Sequence, residues 1–499
     1  MGIIENQGIK GTIFSYIGVV IGFVTAGILM PRFLTLEQNG VFEMLVTWSM
    51  VFATLATLGI NSVTNRLFPY FRDKKSNHKG YFTLLAFVLL AGLGLSTGLY
   101  FILRPLIIQG SLDKSVLLIN YIDLVIPLMI FSSIFLVVDI YYAVLYNAVK
   151  GIFLKEVLQR IIVLGILVFF YFRVFDFSGL VMAYVGALSL PGVLILVSLA
   201  RDGEFVFRSP LGNIDRAMAS NIASVAVFGI AVTFSNSLIQ YVDRIMINDM
   251  LGLENAGLYG RVFFYGTLVI IPLRPLSKIS AVIVAQAWKD DNREEVKSIY
   301  YKSTLDQLIV GLLVFIGIWG NIDNIFHIMG EEYEPGRYVI FFIGLSNLFI
   351  MAAGVSGAII STSKHYRILS VFILIFGILV ILTNLLFIKA FGITGAALAS
   401  ALSALAYSSL RVIFLGRKYQ MQPFSYRHLI VVGIGIAAYF LSTLIPDLVK
   451  GDNFIITLIL DIGVRSLTIA GIYILLVYFF RLSPDLKRFV EKATGGYSG

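Results

Sequence analysis

Cysteine is absent from these 499 residues, histidine occurs four times, tryptophan three times, and only 13% of the chain is charged. Without thiols there is neither a disulfide framework nor a thiolate metal site. His78, His327, His365 and His428 all fall in polar linkers of an otherwise apolar sequence, which argues against a histidine metal centre. The catalytic signatures are missing too: no Walker A loop, no G-x-S-x-G, no H-E-x-x-H and no D-x-D of the nucleotide-sugar type. A membrane-bound polymerase or glycosyltransferase would need a long external loop or an acidic metal-binding motif, and the sequence offers neither. No enzyme and no cofactor are expected, and transport without a nucleotide-binding loop must draw on an ion gradient, the membrane potential or the substrate's own gradient.

What the chain has in abundance is apolar sequence. Hydrophobic residues make up 58% of it and the mean hydropathy is +0.89, whereas an average soluble domain is about 25% charged. The reading is an all-α polytopic membrane protein. Spans need about 20 apolar residues, and fourteen can be marked: about 11–31, 41–64, 81–103, 121–144, 158–174, 178–200, 218–241, 256–276, 303–322, 338–360, 368–388, 394–413, 428–446 and 455–480. The first has no signal-peptide cleavage pattern behind it and is expected to stay as an anchor. With both termini cytoplasmic, Lys and Arg concentrate in the cytoplasmic linkers, as the positive-inside rule requires. The net charge of +9 is therefore assigned to topology and not to a nucleic-acid partner. Arg72-Asp73-Lys74-Lys75 and the run from Arg411 to Lys418 are read as such topology signals. The linker of about 276–302, with Trp288, Val296, Ile299 and Tyr300 at helical spacing, reads as an amphipathic helix at the inner interface.

The chain also repeats itself. Leu34-Thr35-Leu36-Glu37-Gln38-Asn39-Gly40-Val41-Phe42 and Leu251-Gly252-Leu253-Glu254-Asn255-Ala256-Gly257-Leu258-Tyr259 share L-x-L-E-x-x-G-aliphatic-aromatic at an offset of 217 residues, apart from the second position's free choice. Phe175-x-x-Ser178-Gly179-x-x-x-Ala183 and Phe391-x-x-Thr394-Gly395-x-x-x-Ala399 form a second pair, 216 apart. Two echoes in one register indicate duplication. The expected organisation is a first six-helix bundle over 8–208, a second over 217–420, and two additional transmembrane helices over 428–480. An even number of spans per repeat makes the repeats parallel, with a substrate path between them.

Candidate site residues follow from polarity at membrane depth, where each ionisable group costs about 2.5 to 3.5 kcal/mol on insertion scales. Glu43, Thr47, Met50, Thr54, Thr57, Asn61 and Thr64 recur at steps of three and four, which puts them on one helix face. Thr233, Asn236 or Ser237, Gln240, and Asp243 or Arg244 do something similar in the seventh span. Such stripes either glue helices or line a water-filled cavity, and the charged groups at their ends favour the cavity. Substrate-binding candidates are Arg274, Arg66, Arg244, Arg261, Asn61, Thr54, Thr57, Gln240 and Asn236; ion-coupling candidates are Asp139, Glu43 and Asp243. Asp139, with Tyr142 and Tyr146 on its face, is either a packed helix contact or a coupling-cation site. Arg274, between Pro272 and Pro275 in the last turns of span eight, either snorkels or faces a bend toward the cavity. Asp461 and Arg465, four apart, are expected to neutralise each other.

The run Asp243-Arg244-x-Met246-Ile247 leading to Leu253-Glu254-Asn255-Ala256-Gly257-Leu258-Tyr259, and Phe391-Gly392-Ile393-Thr394-Gly395-Ala396-Ala397 at the entry to span twelve, resemble the polysaccharide flippase branch of the multidrug/oligosaccharidyl-lipid/polysaccharide (MOP) exporter superfamily, which includes bacterial O-antigen flippases. The resemblance implies a MATE-like fold of about fourteen helices around a central cavity in the bacterial cytoplasmic membrane. It also implies translocation of an undecaprenyl-pyrophosphate-linked oligosaccharide, a lipopolysaccharide or other surface polysaccharide unit, from inner to outer leaflet by alternating access. Expected partners are that lipid-linked oligosaccharide, membrane lipids and polysaccharide assembly proteins. Guanidinium groups suit pyrophosphate, and on this reading Arg274 with Arg66 forms the clamp. The last two helices would form a groove for the lipid tail, as in similar lipid II flippases. Span one lacks an internal Arg, Arg32 lying at its outer end, which favours a surface polysaccharide unit over a peptidoglycan precursor. The rival reading is a cation-coupled drug or metabolite antiporter of the same superfamily.

Overall fold

A computed structural model describes residues 3–111, 116–208, 215–446 and 454–483. Every element among them is helical, and ten of the helices are long and apolar enough to cross a membrane. The chain is a multi-pass membrane protein. It divides into two compact units, Met1–Arg261 and Val262–Gly499.

The first unit holds α1 (Ile3–Gly22), which runs on through a π-helical turn, Phe23–Leu29, and the short helix Met30–Phe33. It continues with α2 (Leu36–Ala56), α3 (Ile60–Phe71), α4 (Tyr81–Ser111), α5 (Val125–Val144), α6 (Gln159–Tyr171), α7 (Phe177–Arg201), α8 (Arg216–Leu251) and the start of α9 (Leu253–Thr267). α2 starts at a capping box: the Gln38 amide donates to Thr35 Oγ1 at 3.2 Å and the Thr35 amide donates to Gln38 Oε1 at 3.1 Å. Asn39, fully buried, donates to the carbonyls of Met30, Leu34 and Thr35 at 3.3, 3.2 and 3.1 Å, stapling the end of the first span to α2. The span read at 41–64 is two helices. Leu58 and Gly59 have φ of 44° and 70°, and a Cβ on Gly59 would overlap the Ala226 carbonyl and lie 2.8 Å from the Ile230 nitrogen on α8. Glycine is needed there twice over, for its left-handed backbone and for the close approach. Below the break α3, α4, α5 and α7 share a core in which the Phe68 ring meets Tyr81 at 5.3 Å and Tyr141 at 5.5 Å, both edge-on.

The second unit contains the rest of α9, then α10 (Leu273–Lys289), α11 (Arg293–Gly320), α12 (Arg337–Ala352), α13 (Arg367–Tyr419), α14 (Tyr426–Ser442) and α15 (Phe454–Phe479). At 53 residues α13 would run about 80 Å if straight, against a hydrocarbon core of about 30 Å. It breaks at Gly392, φ 58° and ψ −138°, and its two arms pack side by side, with Phe376 and Tyr407 stacked at 4.8 Å. α13 thus covers the spans read at 368–388 and 394–413. The expected interfacial helix over 276–302 is absent as one piece. Asn292 caps α11 through the Glu295 amide at 3.1 Å, so Val296 and Tyr300 are buried in the first turns of a membrane-crossing helix. In α15, Arg465 Nε donates to Asp461 Oδ2 at 2.7 Å, the expected i,i+4 pair, and Asn324 donates to the same oxygen at 2.6 Å.

The two copies of the longer echo begin helices at equivalent residues, Leu36 and Leu253, and the two helices meet. A Cβ on Gly40 would overlap the Leu253 carbonyl; one on Gly257 would overlap the Leu36 carbonyl and lie 2.5 Å from the Gly40 nitrogen. The contact is reciprocal, as across a two-fold axis, and only glycine lets the backbones approach this closely. Gly257→Ala is therefore expected to lower the unfolding temperature of the detergent-solubilised protein and its membrane abundance. Gly165→Ala, with nothing within 4 Å of the new methyl, should hold or raise stability by up to about 1 kcal/mol, since Ala is the better helix former. Equal unfolding temperatures for the two variants would show that the crossing tolerates a methyl group.

Candidate functional site

Three residues beyond the Gly40 crossing, α2 carries Glu43. Its position corresponds, 217 residues on, to Gly260, and a Cβ on Gly260 would lie 2.5 Å from the Glu43 carboxyl carbon. The missing side chain on α9 is what gives the carboxylate its room. Two cations converge on it: Arg244 Nε pairs with Glu43 Oε1, and Arg261 Nη2 donates to Oε2 at 3.2 Å. The side chains of Glu43, Arg244 and Arg261 are 14%, 10% and 7% exposed, so little water screens the pairing. Arg244 Nη1 also donates to the Gln240 carbonyl at 2.6 Å, and Arg261 Nη1 lies 3.1 Å from Met30 Sδ. Arg261 Nε is buried with no hydrogen-bond partner among the described residues. Next to Arg244, buried Asp243 accepts from the Tyr259 hydroxyl at 2.8 Å. With Asp243 counted, two carboxylates face two guanidiniums, so the cluster is charge-balanced, with Glu43 the acceptor that Arg244 and Arg261 share.

The sequence-derived candidates thus separate. Glu43, Arg244 and Arg261 come together, with Asp243 beside them. Thr54 and Thr57 turn their hydroxyls back onto their own helix, donating to the carbonyls of Val51 and Thr54 at 2.8 Å each, where α2 ends. Asn61, on α3, has a buried Oδ1 without a partner among the described residues. Asn236 and Gln240 are exposed, one turn apart on α8. Arg66 is exposed on α3. The side chain of Arg274 lies outside the described residues; its backbone belongs to the first turn of α10, not to the end of span eight, because α9 ends at Thr267 and a new helix starts behind Pro272. Asp139 is half-buried on α5 against Gly151, where a Cβ would overlap its Oδ1. Its presumed companions have other partners: the Tyr142 hydroxyl donates to Asp202 at 2.8 Å, and Tyr146, past the end of α5 with φ 61°, accepts from Arg72 at 2.6 Å.

Two cations carry more than their sequence context suggested. Arg411, read as a topology signal, is only 6% exposed, with its guanidinium 4.3 Å from the Tyr407 ring centroid. Lys155, just ahead of α6, lines a cavity of about 170 Å³ in the first unit together with Ser49, Ser132, Gln159 and Tyr241. The i,i+4 pairs Lys155/Gln159 and Glu156/Arg160, set in an otherwise aliphatic and aromatic stretch, are the signal that could have found it.

Reciprocal packing of the two echoes, helices broken inside spans and a buried charge cluster characterise this membrane fold. Residues 8–284 match the family described as Polysaccharide biosynthesis protein, which is more than half of the chain, and the protein belongs to that family. Three solved structures share its fold. The lipid II flippase MurJ in an inward closed conformation has a TM-score of 0.69 at 12% identity, over 95% of this chain and 99% of that one. An inward-facing multidrug resistance MATE family transporter of the MOP superfamily has 0.60 at 14%, over 80% and 94%. A MOP superfamily transporter from Pyrococcus furiosus, described as having a binding pocket of reversed polarity, has 0.51 at 12%, over 84% and 96%. No curated protein sequence matches the chain. The resemblance to the polysaccharide branch of the superfamily is borne out by the family match.

Removing the central carboxylate leaves two buried guanidiniums facing each other. Glu43→Ala is expected to destabilise the protein by about 3 to 5 kcal/mol, the usual cost of breaking a buried ion pair from one side. Asp123→Ala, which breaks the Arg104–Asp123 pair whose side chains are 34% and 60% exposed, should cost about 1 kcal/mol or less. Denaturant or thermal unfolding of both variants in one detergent checks the ranking, and equal losses would mean the Glu43 cluster is solvated.

Proposed function

We propose that this protein is a flippase of the bacterial cytoplasmic membrane, with both termini inside. It moves an undecaprenyl-pyrophosphate-linked oligosaccharide, a surface polysaccharide unit such as an O-antigen repeat, from inner to outer leaflet by alternating access between two parallel six-helix repeats. The observation that carries the reading is the pair Arg244 and Arg261 converging on the single carboxylate of Glu43. A pyrophosphate is tetrahedral at each phosphorus but, like a carboxylate, presents pairs of oxygens that a guanidinium fork can bridge, with more charge. It is suited to replace Glu43 at the two guanidiniums, and the exchange would couple headgroup capture to loosening of the α2, α8 and α9 contacts. Membership in a polysaccharide biosynthesis family and a fold shared with a lipid II flippase support a lipid-linked substrate. The clamp assigned in the sequence to Arg274 and Arg66 moves on this reading to Arg244 and Arg261, because Arg66 is exposed while the latter two share one acceptor.

The antiporter reading needs a membrane-embedded carboxylate available to a coupling cation. Glu43, tied to two arginines, and Asp243, hydrogen-bonded to Tyr259, are less suited to that task. Reconstituted vesicles containing a fluorescent undecaprenyl-pyrophosphate disaccharide test the proposal. The wild type should flip the lipid. A lost charge-assisted contact of about 1.5 to 3 kcal/mol should slow Arg244→Ala and Arg261→Ala by roughly tenfold to a hundredfold, with Lys at either position restoring part of the rate. Flipping by both Ala variants at the wild-type rate would remove the clamp, and proton-driven extrusion of a cationic dye without lipid flipping would establish the antiporter instead.

A further inference from the structure

The cavity beside Lys155 is not needed for pyrophosphate capture at Arg244 and Arg261. Its chemistry is different. Lys155 brings one cation, its ammonium 5.4 Å from the Phe135 ring centroid, and makes no ion pair or hydrogen bond with any described residue. The nearest acidic groups are Glu156 and Asp139, both of which attract this ammonium; Glu156 also accepts from Arg160 Nη2 at 2.7 Å, and Asp139 is half-buried on α5 beside Gly151. Around this ammonium stand neutral hydrogen-bonding groups from four helical segments: Ser49 of α2, Ser132 of α5, Gln159 of α6 and Tyr241 of α8. Ser49 gives its proton to the Val46 carbonyl at 2.9 Å, which leaves its oxygen as an acceptor. The Tyr241 ring connects the two sites, since the Arg244 guanidinium lies 5.8 Å from its centroid on the side of the Glu43 cluster.

We infer that this cavity is a subsite for a carboxylated sugar residue, with Lys155 holding the carboxylate and the serines and Gln159 holding ring hydroxyls. A lone ammonium is a compact point charge matched to a monoanion, whereas pyrophosphate calls for several cations and the planar fork of arginine. Hydroxyl and amide groups beside aromatic rings suit a ring that is polar at its edge and apolar on its face. About 170 Å³ holds several waters, which a bound sugar hydroxyl can replace. The inference rests on the flippase reading for its biological meaning and narrows the substrate to an oligosaccharide with an acidic sugar.

The cysteine-free chain makes the test direct. Ser132→Cys or Ser49→Cys introduces a single thiol on the cavity wall of the full-length protein in nanodiscs. After normalisation to each reagent's rate on a free thiol, an anionic methanethiosulfonate should modify Ser132→Cys about tenfold faster than a cationic one, as expected of a cation-lined cleft. Adding Lys155→Gln should abolish the preference and Lys155→Arg should keep it, both at unchanged elution and unfolding temperature. With an uncharged reagent, glucuronate should slow modification several-fold while glucose and acetate do not. Equal rates for the two charged reagents, a preference that survives Lys155→Gln, or no reaction at either cysteine would overturn the subsite. Protection by pyrophosphate in place of glucuronate would overturn the sugar assignment in favour of a headgroup phosphate. Labelling does not depend on transport. A charge-selective cavity in a protein that flips no lipid would sink the flippase reading alone, and flipping without charge preference would sink the subsite alone.

Discussion

A carboxylate held by two guanidiniums inside a membrane protein constrains everything around it. None of the three groups can be left alone there, because an uncompensated buried charge costs several kcal/mol. Glu43, Arg244 and Arg261 come from three helices of the first unit, so α2, α8 and α9 must keep their mutual register for the charges to meet. Glycines set that register. Gly40 and Gly257 bring two backbones into contact, and Gly260 leaves the volume that the Glu43 carboxylate fills. The packing requirement and the electrostatic requirement fall on the same few residues.

The asymmetry of the cluster is informative once the echo is taken as a duplication. Position 43 carries a carboxylate and its counterpart, position 260, carries none. Two carboxylates facing each other across a pseudo-two-fold axis would repel and would also clash, since the second has no space. One glutamate at the crossing instead serves both Arg244 and Arg261, and Asp243 beside Arg244 completes the charge balance. Loss of Glu43 would leave both guanidiniums buried without the acceptor they share.

Much of this was legible in the sequence because membranes enforce simple rules. Apolar runs mark spans, and the L-x-L-E-x-x-G echo marked the two helices that meet. Arg244, Arg261 and Glu43 could be picked out singly as ionisable groups at membrane depth. Their convergence could not, since it depends on the Gly40–Gly257 crossing, which places residues about 200 positions apart side by side. The stripe from Glu43 to Thr64 was misleading in part: helical spacing assumes an unbroken helix, and Leu58 and Gly59 interrupt it. Beyond that break the face rotates, and Thr54 and Thr57 satisfy backbone carbonyls at the helix end. Arg411 shows the opposite failure. A cationic run next to a span obeys the positive-inside rule whether its residues are solvated or buried, and only packing distinguishes Arg411 over Tyr407 from exposed Arg417 and Lys418.

Polar groups in this fold therefore divide by what their helix does at that point. Where a helix continues, hydroxyls donate to the carbonyl three or four residues back, as with Thr64 on Ile60 and Thr383 on Leu379, which leaves a ligand only the oxygen's acceptor side. Where a helix changes type, side chains are re-aimed. Lys155 sits in a π-helical turn, Phe153–Leu158, and such turns recur at functional positions because the extra residue shifts the side-chain register. The other π-helical turn, Phe23–Leu29, lies in the first span just ahead of Met30, whose sulfur meets Arg261. Both irregular turns thus border cationic side chains, one at the Glu43 cluster and one at the Lys155 cavity.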